Sequence, residues 1–393
     1  MNKVILRLNS LWLRFRTEII IFCVVFGVRV LYALVMWRFF GTDIFISYSD
    51  AQSFIDVAYN LLNHGAFSQW TEGPLYYPDA IRTPGYPFFL AGFFWLRATP
   101  MVIVMVQNVL AGFLAVMMYR FGGRVFKAKL VGLFAVIIFA FEPTSIYWNN
   151  LLMSDNLFTF VLFLALFLFF GHRFLWSAFV LGLAILIRPI GLYFVPLFVG
   201  MFILEYRRGT GRWFAWKKLF LFIAVVLLTI SPWIIRNQLV FDTWQFSSAG
   251  WVNLNIFTAA PYAQKYNIPL PALEMPSDYP VQNQVIFSYD FRNTEFYKGQ
   301  IFKLFLDNPI SYTSFHITSA IKGLGNTGYR YLIDYVIGVK FSALSREFLL
   351  VLFYAGQAFW ATLLVFVFAG FWRRETRLPQ LFLFSIFLVN TLL

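Results

Sequence analysis

The amino-acid sequence predicts an all-α, polytopic membrane protein with two large external loops, and three observations predict it. Of its 393 residues, 60% are hydrophobic and only 12% are charged, whereas soluble domains run to about 45–50% apolar and about 25% charged. Apolar runs of membrane length recur along the chain. Lys and Arg gather in short clusters between those runs, and the clusters satisfy a single orientation throughout. The net charge of +13 therefore reflects topology rather than a polyanion-binding face, and nucleic acid is not an expected partner. The single cysteine, Cys23, excludes an intrachain disulfide framework and a cysteine-based metal site.

The first span runs from about Ile19 to Phe40, behind Lys3, Arg7, Arg14 and Arg16. It is longer than the roughly 7–15-residue core of a signal peptide, so it reads as a retained helix entering from the cytoplasm. Arg29 at its centre is expected to pair with an acid inside the bundle, with Glu142 as the candidate partner. Further basic clusters lie at Arg120 to Lys129, His172-Arg173, Arg207 to Lys218 and Arg373 to Arg377. All fall inside if spans follow at 100–120, 130–149, 155–171, 174–187, 190–204, 218–235, 347–371 and 379–393.

Two segments, 41–98 and 236–346, are left outside. In the first, Ser49 to His64 reads as a short helix lying on the membrane, with Asp50 in its first turn and Gly65 as its stop. Residues 86–97 form an aromatic apolar stretch too short to span alone. The second loop contains Pro261, Pro269, Pro271, Pro276 and Pro280, a poor setting for long helices. Near its end an amphipathic helix is expected from Thr294 to Leu306, stopped by Asp307-Asn308-Pro309. The expected organisation is a transmembrane catalytic module over 1–235, an acceptor-side loop region over 236–346, and C-terminal spans over 347–393.

Span lengths point to where chemistry sits. The runs 155–171 and 174–187 cover about 26 and 21 Å at 1.5 Å per residue, less than the hydrocarbon thickness of about 30 Å. Their cytoplasmic ends are fixed by His172 and Arg173, so their outer ends, which carry Asp155 and Arg188, should stop short of the outer surface. The sequence thus predicts an outward-facing depression floored by an acid and a base.

Each candidate also has a purely structural reading. Asp50 and Asp155 could both be helix caps, and Arg82, in the turn Thr83-Pro84-Gly85-Tyr86-Pro87, could snorkel to lipid headgroups. Arg188 in Arg188-Pro189 breaks an apolar hairpin, where a structural arginine is costly, so function is favoured. His64 precedes Gly65 and reads as a dipole partner. Asp43, Asp56, Glu72 and Asp79 add acid to the first loop, but none stands out by spacing. No Walker A sequence, His-Glu-x-x-His or Gly-x-Ser-x-Gly is present, and the three histidines are scattered.

Taken in order, several motifs resemble those of bacterial GT-C glycosyltransferases. They are Ser49-Asp50-Ala51 with Phe54, Ala58, Asn60-Leu61 and Gly65; Arg82 to Pro87; Pro143; Ser154 to Phe158; Leu186 to Pro189; and Ser231 to Asn237, with a weaker echo at Asp307-Asn308-Pro309. More closely, the chain is similar to the dolichyl-phosphate-mannose–protein mannosyltransferases and the lipid A aminoarabinose transferases. The resemblance implies a GT-C-type helical bundle with interfacial helices in its external loops. It also implies transfer of a sugar from a polyprenyl-phosphate donor to a lipid, glycan or protein acceptor, at the outer face of the cytoplasmic (inner) membrane. Asp50 would be the catalytic base and Asp155 the second acid, with Arg82, Arg188 and Arg236 as candidates for holding the phosphate and Tyr86 beside them. The family often has two adjacent acids in the first loop. Here Asp50 is followed by Ala51, so no metal-binding pair is evident and no cofactor is expected. Family members also continue with further spans where this chain stops within an apolar run, so the resemblance implies a short or truncated version.

The chemistry fits independently of the name. A sugar phosphodiester carries a good leaving group, so the reaction needs a base for the acceptor proton and cations for the departing phosphate. The arginine fork suits phosphate oxygens. A single displacement would invert the anomeric centre. The rival reading is a flippase or transporter of lipid-linked sugars. Against it, the polar groups cluster at the outer face and the chain shows no internal repeat.

Overall fold

The computed structural model of the protein describes residues 2–46, 49–72, 76–206, 212–277, 280 and 283–325, with isolated positions at 351, 354, 356 and 358. Its helices are, in chain order, α1 (Asn2–Phe40), α2 (Ser49–His64), α3 (Gly85–Trp95), α4 (Pro100–Val125), α5 (Lys129–Phe141), α6 (Pro143–Asn149), α7 (Ser154–Phe169) and α8 (Phe174–Ile187). They continue as α9 (Phe194–Tyr206), α10 (Arg212–Phe241), α11 (Ala249–Leu254), α12 (Ala260–Lys265), α13 (Gln284–Tyr289), α14 (Thr294–Asp307) and α15 (Pro309–Gly325). No strand occurs among the described residues. Segments Arg14–Phe40, Pro100–Val125 and Trp216–Phe241 are each long and apolar enough to cross a membrane. This is an all-α membrane protein, as its composition requires. The expected spans 347–371 and 379–393 lie outside the described residues.

The chain divides into two compact units, one of Met1–Ala51 and Arg97–Val180, the other of Gln52–Leu96 and Leu181–Leu393. In the first, α1, α4 and α5 share a core of Ile21, Val25, Ala111, Ala115, Val136 and Ala140. Small residues set how closely they pack. A Cβ on Gly122 would lie 2.4 Å from the backbone nitrogen of Gly132, so the α4–α5 crossing requires glycine there. Close backbone approach of this kind is how helices gain packing in lipid, where apolar burial gives no advantage. Large apolar residues such as Leu31, Phe113 and Phe134 remain exposed on these helices.

The expected single span 130–149 is instead a broken one, with α5 and α6 meeting at 66°. The cause is Pro143. It has no N–H for the carbonyl of Phe139 four residues back, and its ring clashes with a continuing helix. Glu142 caps the new start, accepting from the Thr144 N–H (3.1 Å), the Thr144 hydroxyl (2.5 Å) and the Ser145 N–H. The orphaned Phe139 carbonyl accepts 2.8 Å from Arg29 Nη2, which also donates 3.0 Å to Ser145 Oγ. The guanidinium lies 4.2 Å over the Phe139 ring. Arg29 is therefore a splint for the broken helix. Glu142 is the acid whose charge acts on Arg29, as expected, but its oxygens are spent on capping α6 rather than on a direct hydrogen bond to the guanidinium.

In the second unit, Phe194, Phe198, Phe202 and Phe222 are buried where α9 meets α10, and Phe198 stacks on Phe222 at 6.1 Å. Among its described residues the proline-rich segment holds short helices, α11, α12 and α13 of six residues each, with a π-turn between the first two. Tyr262 of α12 packs with Ile301 and Leu304 of α14 and Tyr312 of α15. The helix expected over Thr294 to Leu306 forms as α14. Pro309 then both stops α14 and starts α15 as its first residue, where a missing N–H costs nothing.

Candidate functional site

Within the first unit, Asp50 and Asp155 each stand in the first turn of a helix, α2 and α7. Two features of the sequence fix the backbone that carries Asp155. Gln107 on α4, fully buried, donates to the carbonyls of Asn149 (3.1 Å) and Leu151 (2.8 Å). Beside it Asn108 donates 3.1 Å to Asn150 Oδ1 and accepts 2.5 Å from Asn149 Nδ2. Buried amides need partners, and here they are answered by the loop from α6 to α7. That loop then meets the first external segment, where Leu152 N–H donates 2.8 Å to the Phe45 carbonyl. Phe45 lies five residues before Asp50 and Leu152 three before Asp155, so the two acid-bearing helix starts emerge from one backbone junction. The residue at the α7 cap position is Met153, which makes no side-chain cap, and the Asp155 carbonyl accepts 2.8 Å from the Thr159 hydroxyl. Both aspartates are half-buried.

In the second unit Arg82 lies within residues 79–85, Arg236 bonds to that stretch, and the residue before Arg188 is bonded by it. Arg82 lies with its guanidinium 4.5 Å over the Phe54 ring. Phe54 is four residues after Asp50 on α2, hence on the same helix face. Thr83 donates 2.9 Å to the carbonyl of Ile187, the residue before Arg188. A Cβ on Gly85 would come within 2.8 Å of the Ile187 backbone nitrogen, so the Thr-Pro-Gly turn seats on the end of α8 only with glycine there. Arg236, at the end of α10, donates 2.9 Å to the Asp79 carbonyl and 2.9 Å to Asn237 Oδ1. Its guanidinium lies among Trp233 (4.6 Å), Phe241 (5.0 Å) and Phe67 (5.5 Å).

Tyr86 is wholly buried, edge-on to Phe54 at 5.1 Å and stacked on Phe89 at 5.7 Å. It backs the ring on which Arg82 lies.

Asp79, which spacing did not single out, organises this loop. Its Oδ1 accepts from the N–H groups of Ile81 (2.9 Å) and Arg82 (2.6 Å), and Oδ2 accepts from Gln69. Burial pushes its carboxyl above the usual carboxylate range, while the Gln69 and Arg82 hydrogen bonds and the charges of Arg82 and Arg236 oppose that rise. The signal was present in the sequence. An Asp two and three residues before the N–H groups it binds is an Asx-turn, a local side-chain-to-backbone motif. Among the described residues no group of three or more His, Cys, Asp or Glu side chains gathers as a metal site would.

The family model described as dolichyl-phosphate-mannose-protein mannosyltransferase matches residues 81–235. The match covers less than half of the chain. It takes in Arg82, Tyr86, Asp155 and Arg188 and leaves Asp50 and Arg236 outside. It supports a GT-C glycosyltransferase-like protein, in general terms a membrane glycosyltransferase that uses a polyprenyl-phosphate sugar donor. No curated protein and no solved structure matches the chain.

Proposed function

We propose that the protein transfers a sugar from a polyprenyl phosphate to a lipid, glycan or protein acceptor at the outer face of the cytoplasmic membrane, by direct inverting displacement. The attachment of the Arg188 and Arg236 segments to the loop that carries Arg82 supports this reading. Three guanidinium-bearing segments gathered by Thr83 and Asp79 suit a phosphodiester whose bridging oxygen takes up charge as the glycosidic bond breaks. Asp50 takes the proton of the acceptor hydroxyl or amine as that nucleophile attacks the anomeric carbon. Asp155, at the start of the helix that follows the loop held by the buried amides of α4, orients the acceptor or stabilises the positive charge developing on the sugar. Arg236, bound to the loop backbone and surrounded by rings, is the fixed charge of the set. Arg82 and Arg188 reach the phosphate. The positive charge is supplied by arginines, and no step in this reading calls for a metal.

The test uses purified protein in lipid nanodiscs with radiolabelled polyprenyl-phosphate sugar. Asp50→Asn should abolish transfer and leave donor binding unchanged. A folded Asp50→Asn protein with full transfer activity would remove Asp50 from the mechanism. Arg82→Ala and Arg188→Ala should instead weaken donor binding, by about tenfold or more for each lost charge-assisted contact.

A further inference from the structure

The segment after α10 lies beyond the matched residues, yet it claims two consecutive carbonyls of the arginine loop, and Arg236 of α10 claims the one before them. The Asp79 carbonyl accepts from Arg236 at 2.9 Å, the Ala80 carbonyl from Ser248 N–H at 3.0 Å, and the Ile81 carbonyl from the Ser247 hydroxyl at 2.7 Å. The segment is itself held at both ends. Trp233 Nε1 donates 3.0 Å to the Phe246 carbonyl, and Asn237 Nδ2 donates to the carbonyls of Gln245 (2.8 Å) and Phe246 (3.0 Å). At the other end the Ser248 hydroxyl donates 2.5 Å to the carbonyl of Tyr289, the last residue of α13. Ser247 Oγ closes the arrangement by accepting 3.1 Å from Ala249 N–H at the start of α11. Ala80 and Ile81 are buried, so their carbonyls have no water to replace these partners.

We propose that residues 245–248 form a strap of the second external loop that sets the backbone of residues 79–81 and so aims Arg82, with Ser247 as the positioning residue. The proposal rests on the reading of Arg82 as a phosphate ligand and adds to it that the second loop governs donor engagement. The Asp79 carboxylate fixes the N–H groups of this turn and the strap fixes its carbonyls. The turn is thus gripped from both sides. A change in the second loop at α11 or α13 reaches Arg82 through two hydroxyls and one N–H, without touching the substrate.

The experiment uses the full chain in nanodiscs, with sugar-free polyprenyl phosphate as the binding probe. Ser247→Ala should weaken probe binding by about fivefold, the equilibrium equivalent of one hydrogen bond. Ser247→Thr, which keeps the hydroxyl, should bind within about twofold of the parent protein. In transfer assays Ser247→Ala should raise the donor KM with little change in kcat. Because Ser247 acts through Arg82, adding Ser247→Ala to Arg82→Ala should cause no further loss of binding. Wild-type affinity in Ser247→Ala beside a weakened Arg82→Ala overturns the strap, as does a fall in kcat at constant KM, the mark of a smaller folded fraction. If Arg82→Ala itself binds the probe normally, the phosphate reading fails. Amide exchange then decides the strap separately: faster exchange at Ile81 and Arg82 in Ser247→Ala supports it, and unchanged exchange rejects it.

Discussion

Replacing Arg29 by methionine tests the splint on α5 and α6. The change keeps an unbranched, polarizable side chain and removes two charge-assisted hydrogen bonds, to the Phe139 carbonyl and to Ser145, each worth about 1.5–3 kcal/mol. It also removes the stack over the Phe139 ring, worth about 0.5–2 kcal/mol. Against these stands relief from placing a guanidinium at a helix centre, which costs about 2.5–3.5 kcal/mol on insertion scales. The balance is a net destabilisation of about 3 kcal/mol. Reversible denaturation in mixed micelles, followed by circular dichroism, measures it. The decisive arm is the Pro143→Ala background. A residue with an N–H at position 143 can serve the Phe139 carbonyl as the 66° bend relaxes, so Arg29→Met should cost about 1 kcal/mol less there. Glu142→Gln should cost only about 1 kcal/mol, as loss of a cap does, not the roughly 3–5 kcal/mol of a broken buried ion pair. An Arg29→Met protein as stable as its parent, or an equal loss in both backgrounds, refutes the splint.

Gly85→Ala should destabilise the protein by about 1–3 kcal/mol, because the new methyl meets the Ile187 backbone, and it should weaken donor binding by unseating Thr83 from the end of α8. Unchanged stability in the same denaturation assay would show that the turn does not rest there. Asp290 gives a pH dependence. Burial alone would raise its carboxyl, but Arg292 and the Tyr77 hydroxyl, bonded at 2.9 and 2.6 Å, bring it below the usual carboxylate range. A depressed folded-state value means this contribution is complete above the unfolded value of about 3.9 and is lost as pH falls through the lower folded value. The stability difference between the parent protein and Asp290→Asn should therefore stay constant from neutral pH down to about 4 and shrink only below it. A difference that already shrinks between pH 7 and 5 would mean the clamp does not form.

Much of the architecture was legible because the dominant forces act locally. The end of α2 at Gly65 and the end of α14 before Pro309 follow from a left-handed glycine (φ +65° at Gly65) and a missing N–H, both readable within a few residues. Pro143 is readable too, but it stands inside a 20-residue apolar run that has the length of one span, and the run's length hides the bend. What could not be read was which distant group would answer a broken helix. Arg29 and Phe139 are separated by 110 positions, and only packing of α1 on α5 brings them together. Each arginine is legible by its chemistry, but which segments share a loop depends on contacts made by Thr83, Asp79 and Ser247 with partners far along the chain. Asp79 does not stand out by its spacing from other acids, because its role lies in the backbone N–H groups two and three residues ahead.

A transferase of the proposed kind consumes a polyprenyl-phosphate sugar rather than moving it. Purified protein in sealed vesicles, given labelled polyprenyl-phosphate sugar and a membrane extract as acceptor source, answers this by thin-layer separation of the lipids. With a transferase, free polyprenyl phosphate appears with time, together with label in a new product, and both vanish in Asp50→Asn. Labelled donor that reaches the opposite leaflet chemically intact, at equal rates in the parent protein and Asp50→Asn, would contradict it.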